Sequence, residues 1–266
     1  MCYHPGERFL QDAALFLFSH VDALYYEAVE TVLWSYATFS FHPGCDLLAK
    51  LAVKIEGHLS LFSALHLANV LWCFALFDSC SSEMWKVMID AICAVPPQEI
   101  PHEALYRLFQ IYLLKKSSSS SGESNYELPE EIKEAGSALW LRQMERQKEI
   151  QSPFFTDVCR LLTSLCHQQL NGNAQVHQHF VLSDKTVCVG FYIESLHRCL
   201  ELVDEHEFTI NTTEPIGSAI MRTKITQCCL ERSMGSTFSV DFLKYTDWQS
   251  LESDNDKQQY LKTLLF

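Results

Sequence analysis

The side chains best suited to metal chemistry in this chain surround one glutamate. Glu201 lies in the apolar run 198–203, which predicts a β-strand, and four charged or titratable residues follow at 204–207. A metal-dependent nuclease holds Mg²⁺ between two acidic ligands that fix the ion and its attacking water. Strand alternation places Cys199 and Val203 on the same face as Glu201, and neither is a ligand for a hard cation. The stretch has the layout of such a site but lacks a second carboxylate.

Other candidates for chemistry are weaker. Residues 204–207 combine three carboxylates with an imidazole and could form a fortuitous metal site, although an exposed charged turn explains them more simply. His177 and His179 alternate along a predicted strand and could line a groove, but such pairs usually lie on the surface. No phosphate-binding loop, nucleophile elbow, dinucleotide fingerprint or zinc-protease motif occurs in the sequence. We therefore predict no catalysis, no metal, no cofactor and no small-molecule substrate, with Glu201 as a remnant.

Composition restricts the class of partner. The 266 residues include 20 Lys plus Arg and 33 Asp plus Glu, a net charge of −13. Phosphate contacts need basic side chains, so a generic polyanion binder is disfavoured, while a local basic patch or a face shared with a partner stays open. Eleven cysteines without a Cys-x-x-Cys motif are typical of buried thiols in a reducing compartment. His66 and Asn69 interrupt the longest apolar run, so no membrane span is predicted.

A repeat of about 38 residues runs through the first part of the chain, and self-similarity of this kind is typical of helical solenoids. Residues 32–39 match 70–77 at six of eight positions, and His42-Pro43-Gly44 matches His4-Pro5-Gly6 at the same shift. Apolar spacing predicts helical hairpins, which bury a shared ridge only against neighbouring hairpins. The ridge residues are Trp34, Tyr36, Ala37, Trp72, Phe74 and Ala75. Met1 aligns with Phe39, so we expect the chain to begin within a repeat, with the number of upstream repeats and any transit peptide open.

The remaining sequence predicts a second type of fold. Residues 115–127 are rich in serine and break the helical pattern. Two predicted helices follow: the first spans about 130–150, and the second ends at residues 170–173. Short β-branched or aromatic strands then precede a helix at 217–235, a strand at 236–243 and a last helix. The predicted fold is an α-solenoid followed by a small α/β domain. Its boundaries are 1–116 for the repeats, 117–128 for the linker, 129–173 for connecting helices and 174–266 for the α/β domain.

This C-terminal order resembles the RAP domain, a small module related to restriction-endonuclease-like folds. The matched residues are Glu201, Phe208, Asn211, Gly217, Trp248, Tyr260 and Leu261. The Leu-Trp-x-(Tyr/Phe)-Ala-x-Phe unit of the first part is similar to octotricopeptide repeats and, more distantly, to FAST-kinase-like proteins. In the RAP pattern an aspartate stands where this chain has Gly190. The resemblance therefore implies a pseudo-nuclease fold that has lost its metal ligands.

The resemblance implies a role in organellar RNA biology. Proteins with helical repeats ahead of a RAP domain bind organellar mRNA or rRNA and act in RNA processing, stability or translation, and we expect a mitochondrial location, with the plastid as the alternative. Seven cations are candidates for RNA contacts, although each is also explained as a solvated surface charge: Lys50, Lys54, Lys86, Lys115, Lys116, Arg222 and Lys224. The alternative function is structural, in or on the mitochondrial ribosome, with contacts to rRNA and ribosomal proteins. A metal-dependent RNA endonuclease is the third possibility.

Overall fold

The computed structural model combines many helices with one small sheet. It describes residues 3–118, 126–149, 153–170, 175–182, 186–203, 207–212, 215–234 and 238–266. Eight α-helices precede a four-stranded mixed sheet in the described C-terminal part, where one further helix lies between the last two strands and two follow them; this confirms the predicted combination of α and α/β architecture. None of the described helices is both long and apolar enough to cross a membrane.

The chain divides into two compact units that do not follow chain order. Unit 1 comprises residues 1–140 and 208–222, and unit 2 comprises residues 141–207 and 223–266. The segment 208–222, which the sequence groups with the small α/β domain, thus belongs to the same unit as the N-terminal helices. The division falls inside two long helices, described below.

Unit 1 is built from helices arranged in two rows. Their bounds are α1 (Glu7–His20), α2 (Tyr26–Thr38), α3 (Cys45–Glu56), α4 (Ala64–Leu76), α5 (Ser82–Cys93) and α6 (His102–Ser118). Helix α4 packs against both α2 and α6, and α3 packs against both α1 and α5. Helices α2, α4 and α6 begin at equal intervals, and each follows a 3₁₀ turn that recurs at the same interval, at 21–23, 59–61 and 97–99. The apolar ridge of α2 is thereby buried against α4, and that of α4 against α6.

The turns that precede α1 and α3 share one backbone geometry. Gly6 has φ 94° and Gly44 has φ 97°, a region that favours glycine because it lacks a Cβ. In both turns the glycine N–H donates to Nδ1 of the histidine two residues earlier, at 3.0 Å. The ring of His4 packs edge-on against Phe39, and that of His42 packs in the same way against Phe77. The His-Pro-Gly sequence therefore forms the same helix start twice.

The predicted ridge is buried with one exception. Tyr36, Ala37, Phe74 and Ala75 are at most 3% exposed, and Trp72 is 4% exposed. Trp34, by contrast, is 36% exposed, because its ring lies at the surface beside Trp72 with ring centroids 5.4 Å apart. Four ridge positions and Trp72 therefore act as core, while the remaining tryptophan presents an aromatic surface.

Residues after α6 extend unit 1. Helix α6 continues into the predicted linker as far as Ser118, and residues 119–125 lie outside the described part. Beyond them, the Tyr126 hydroxyl donates to the Cys80 carbonyl at 2.9 Å, and the carbonyl of Glu127 accepts from Trp85 Nε1 at 3.2 Å. Leu128 is buried. The described end of the linker is thus held against α5 and the turn before it, and α7 (Glu130–Glu149) begins next.

Unit 2 contains the sheet. Its strands are β1 (Val176–Val181), β2 (Cys188–Ile193), β3 (Arg198–Val203) and β4 (Ser239–Lys244), in the order β1-β2-β3-β4. The first two pairings are antiparallel and the last is parallel, so a long crossover joins β3 to β4. That connection contains α9 (Gly217–Met234).

One core holds the sheet of unit 2 to its helices. Helix α8 (Pro153–Gln169) and helix α11 (Asp254–Leu265) contribute Leu162 and Leu261, which pack with the sheet residues Phe191, Leu200 and Leu243. The predicted last helix is interrupted: α10 (Tyr245–Gln249) ends, and α11 begins only at Asp254, where the Ser253 side chain accepts from the N–H of Asp256. Ser253 is therefore an N-cap that starts a separate helix.

Replacing a buried ridge residue should destabilise unit 1 far more than replacing an exposed one of the same type. Phe74 is 1% exposed, so Phe74→Ala should lower the free energy of unfolding by about 3–5 kcal/mol, since it removes apolar contacts and leaves a cavity. Phe16 is 63% exposed, and Phe16→Ala should change it by less than about 1 kcal/mol. Urea denaturation followed by far-UV circular dichroism measures both, and equal effects would contradict the packing described.

Candidate functional site

Glu201 and Gly190 lie side by side on neighbouring strands. Phe191 pairs with Leu200 across β2 and β3, so the next residues of each strand, Gly190 and Glu201, are adjacent. A Cβ built on Gly190 would lie 3.8 Å from Glu201 Oε2. The position that carries aspartate in the RAP pattern is therefore next to the glutamate, but it supplies no ligand.

The surroundings of Glu201 do not replace the missing carboxylate with a metal ligand. Burial, together with the negative charges of Glu201 and Asp241, raises the pKa of the Cys199 thiol to about 12, so this neighbour is a neutral thiol at physiological pH. Asp241 forms a two-point ion pair with Arg198, at 2.9 Å for both contacts. No cluster of three or more His, Cys, Asp or Glu side chains that could hold a metal ion occurs within the described residues, and residues 204–206 lie outside them.

Arg198 links the sheet of unit 2 to a helix, and Trp248 links two of its helices. Arg198 Nη1 donates to the Leu265 carbonyl at 2.9 Å, which ties β3 to the end of α11. The Trp248 ring is 3% exposed, and its Nε1 donates to Asp157 on α8 at 3.0 Å. Asp157 also accepts from Lys257 Nζ at 2.8 Å. The matched residues of this part therefore have structural contacts: Trp248 in this network, Tyr260 through its hydroxyl to Asp247, and Leu261 in the core.

Phe208, Asn211 and Gly217 lie elsewhere, against the N-terminal turns and helices of unit 1. The Asn211 side chain bonds to the backbone of His4 at two points, because Oδ1 accepts from the N–H at 2.7 Å and Nδ2 donates to the carbonyl at 2.9 Å. Phe208 is buried and forms a β-bridge with Pro215, whose carbonyl accepts from Ser40 Oγ at 2.7 Å. Asn211 and Pro215 therefore contact the turn before α1 and the turn before α3, which the sequence did not reveal.

Gly217 makes the closest of these contacts. A Cβ built on it would lie 2.1 Å from the Ala37 carbonyl oxygen and 2.8 Å from Leu76 Cδ2. Only glycine allows α9 to start so close to the C-terminal ends of α2 and α4. The matched glycine is thus explained by backbone packing and not by ligand binding.

Lys50 and Lys54, two of the predicted RNA contacts, lie on α3 and bond to the end of α1 and to the 3₁₀ turn that follows it. Lys50 Nζ donates to the Phe18 carbonyl at 3.2 Å and lies 3.9 Å from the centre of the Phe18 ring. Lys54 Nζ donates to the Asp22 carbonyl at 3.0 Å. Cations near helix C-termini complement the helix dipole, so these lysines have a structural explanation.

Lys86, Lys115 and Lys116 lie in acidic or aromatic surroundings. Lys86 lines a shallow cavity of about 840 Å³ together with three carboxylates, those of Glu83, Asp90 and Glu127. Lys115 Nζ lies 5.5 Å from the centre of the Tyr126 ring, and Lys116 Nζ lies 5.3 Å from that of Tyr112. Because three carboxylates line the cavity beside Lys86, it is a poor site for a polyanion.

Arg222 and Lys224 lie in α9, on either side of the division between the units. Arg222 is near Tyr106 of α6: burial raises the pKa of that phenol, and the charge of Arg222 opposes the shift. Both cations are partly buried and both have interactions within the protein. The seven predicted cations are thus distributed over α3, α5, α6 and α9.

A polar and aromatic cluster on α2, α4 and α6 was missed by the sequence analysis. We call it the first-helix face, formed by Glu30, Trp34, Asn69, Trp72 and Arg107. The guanidinium carbon of Arg107 lies 4.6 Å from the centre of the Trp34 ring, and Asn69 Nδ2 donates to Glu30 Oε1. Burial lowers the pKa of Arg107, and the nearby carboxylates oppose the shift. The signal was available, because Asn69 is the polar residue that interrupts the longest apolar run.

Comparisons with known proteins assign no family. No protein-family model matches the chain, and no curated protein matches it. The proposals below therefore depend on the sequence resemblance and on the geometry of the described residues.

Gly217→Ala should destabilise unit 1, because the added Cβ would overlap the Ala37 carbonyl. We expect a loss of about 1–3 kcal/mol or more in the free energy of unfolding, as for other overpacked sites. Gly57→Ala is the matched control: Gly57 has φ −68°, and its Cβ would lie no closer than 3.5 Å to a neighbour. That variant should be neutral or stabilising by up to about 1 kcal/mol. Chemical denaturation measures both, and a neutral Gly217→Ala would refute the contact.

Cys199 should make the protein sensitive to alkali. Its pKa is about 12 in the fold, against about 8.5 in an unfolded chain, so its contribution to stability is complete below pH 8.5 and is lost as pH rises towards 12. Between pH 7.5 and 9.5 this amounts to about 1.4 kcal/mol. Cys199→Ala should reduce the pH dependence of urea stability by that amount, and replacement of the exposed Cys45 should not. An unchanged pH dependence in Cys199→Ala would contradict the burial of this thiol.

Proposed function

We propose that this chain is an organellar RNA-binding protein that acts in RNA processing, stability or translation without catalysis. The observation that carries the proposal is the first-helix face, where a partly exposed tryptophan lies beside an arginine and a buried amide. Aromatic rings and planar guanidinium groups next to hydrogen-bonding side chains are the means by which proteins hold unpaired bases. Such a face can bind RNA through its bases even though the chain has a net charge of −13.

The repeat interpretation supports this proposal. Helix starts and 3₁₀ turns recur at the interval of the sequence repeat, and the two His-Pro-Gly turns have the same hydrogen bonds. We propose that these elements are octotricopeptide-like repeats and that the C-terminal sheet with its helices is a RAP domain. On this interpretation the protein acts in the mitochondrion, with the plastid as the alternative.

We propose further that the RAP part has lost nuclease chemistry. Gly190 beside Glu201 supports this, since a metal held between two strands needs a carboxylate from each. The matched residues whose contacts are described hold the fold together, and none of them replaces the missing ligand.

A structural role in the mitochondrial ribosome is the second candidate. It is favoured by the engagement of Lys50 and Lys54 with backbone carbonyls, which leaves these cations less suited to phosphate contacts. An acidic protein would then be held by basic ribosomal proteins and rRNA together. Retention on ribosomal particles at moderate salt, without RNA binding by the purified chain, would favour this role.

The proposed RNA binding predicts a weak salt dependence. Because few cations are available for phosphates, a fluorescently labelled single-stranded RNA should bind with a slope of log K against log[salt] shallower than about −2, equivalent to fewer than about three phosphate contacts. Fluorescence anisotropy between 50 and 200 mM salt measures this slope. A slope several times steeper would mean that a basic surface, and not the first-helix face, drives binding.

The same mixtures test for cleavage. With Mg²⁺ added, the RNA should remain intact on a denaturing gel, and Glu201→Ala should bind it as the unchanged chain does. Cleavage that requires Mg²⁺ and disappears in Glu201→Ala would establish the nuclease and refute the non-catalytic proposal. Absence of any RNA binding would refute the proposed function.

A further inference from the structure

The first-helix face includes members of two rows of side chains that occupy equivalent positions along the chain. Trp34, Trp72 and Gln110 are each one repeat apart and are in contact: the two indole rings lie 5.4 Å apart, and Trp72 Nε1 donates to Gln110 Oε1 at 2.8 Å. Asn69 and Arg107 form the second row, separated by the same interval. The rows bring groups from α2, α4 and α6 to one place.

Two polar atoms at this place have no hydrogen-bond partner within the described structure: Asn69 Oδ1 and Arg107 Nη1. Asn69 is only 8% exposed, and a buried polar atom without a partner costs about 1–3 kcal/mol, so such atoms are uncommon in native proteins. The amide orientation is fixed, because Nδ2 donates to the carboxylate of Glu30. The site therefore has an unused acceptor and an unused donor.

Trp34 supplies an aromatic surface beside these atoms. Its ring is 36% exposed, and the Arg107 guanidinium covers part of it at 4.6 Å. A planar base fits between the indole ring and the guanidinium only if these two groups are about 7 Å apart, which is twice a van der Waals contact distance. A small outward movement of the flexible Arg107 side chain provides this separation, and indole and guanidinium planes are both stacking partners for bases.

We propose that Trp34 and Arg107 hold one unpaired nucleobase of a single-stranded RNA between them, and that Asn69 Oδ1 accepts a hydrogen bond from its Watson–Crick edge. The proposal rests on the RNA-binding function proposed above and assigns its site. Every natural base has a donor on that edge, which matches the unused acceptor Asn69 Oδ1. A base already paired in a duplex has no free donor there, so the site selects unpaired RNA.

The chemical test varies the ligand alone. Oligo(U) of eight nucleotides is compared with the same oligomer made of 3-methyluridine, which still stacks but has lost the edge donor. The unchanged protein should bind the methylated oligomer several-fold more weakly, and binding of oligo(U) should quench tryptophan fluorescence. Equal affinity for the two oligomers would overturn the edge contact.

The protein test uses matched pairs of variants. Trp34→Leu should weaken binding of oligo(U) by roughly 5- to 150-fold, the effect of one lost base stack, and should abolish much of the quenching. Tyr25→Leu removes an aromatic ring that is 80% exposed outside the face and should have no effect. Arg107→Lys should weaken binding because it keeps the charge but loses the plane, whereas Arg8→Lys on exposed α1 should not.

Asn69→Leu completes the design. It removes the buried acceptor, so this variant should bind the two oligomers with equal affinity. Circular dichroism and thermal midpoints show whether each variant is folded. If the chain binds RNA but Trp34→Leu and Arg107→Lys bind as the unchanged chain does, this site is wrong while the RNA-binding function stands. If the chain binds no single-stranded RNA, both fail.

Discussion

The enclosure of α4 between α2 and α6 is the constraint on which unit 1 depends. Eleven of its thirteen residues are buried, so both flanks of this helix must find partners on its neighbours. The apolar residues do so by packing against α2 and α6. The polar ones require hydrogen bonds, which Glu30 and Gln110 supply to Asn69 and Trp72 from either side. The same enclosure that stabilises the helix thus creates a polar site beside the exposed ring of Trp34.

Close backbone approach is the second constraint on unit 1. Residues 208–212 and 215–217 can lie against the N-terminal turns and helices only because Gly217 has no Cβ and because the Asn211 side chain bonds to both the N–H and the carbonyl of His4. These residues resemble the pattern of a small α/β domain in sequence, yet their contacts are with helices far away in the chain. A sequence pattern can therefore reflect the attachment of one part of a protein to another as well as the fold of a domain.

The sequence predicted what depends on local periodicity and missed what depends on contacts between distant residues. Spacing of apolar residues predicted the helical nature of the first part of the chain, and the short β-branched or aromatic runs predicted strands in the last part. The break at Ser253 and the packing of 208–222 were missed, since both depend on caps and close approaches. Lys50 was interpreted as an RNA contact, because the carbonyl to which it donates lies 32 residues away and cannot be recognised from a local pattern. Asn69 was noticed only as an interruption of an apolar run.

The charge of the chain and its proposed ligand are compatible only if binding uses bases more than phosphates. Arginine in ion pairs, such as Arg198, is held by carboxylates and is not available to a polyanion. Arg107 differs, because its guanidinium covers an indole ring and one of its nitrogens has no partner in the described structure. Stacking gains little from net charge and loses little to salt, and hydrogen bonds to a base edge are strongest where water is excluded. A buried amide beside an aromatic ring meets both conditions in an acidic protein.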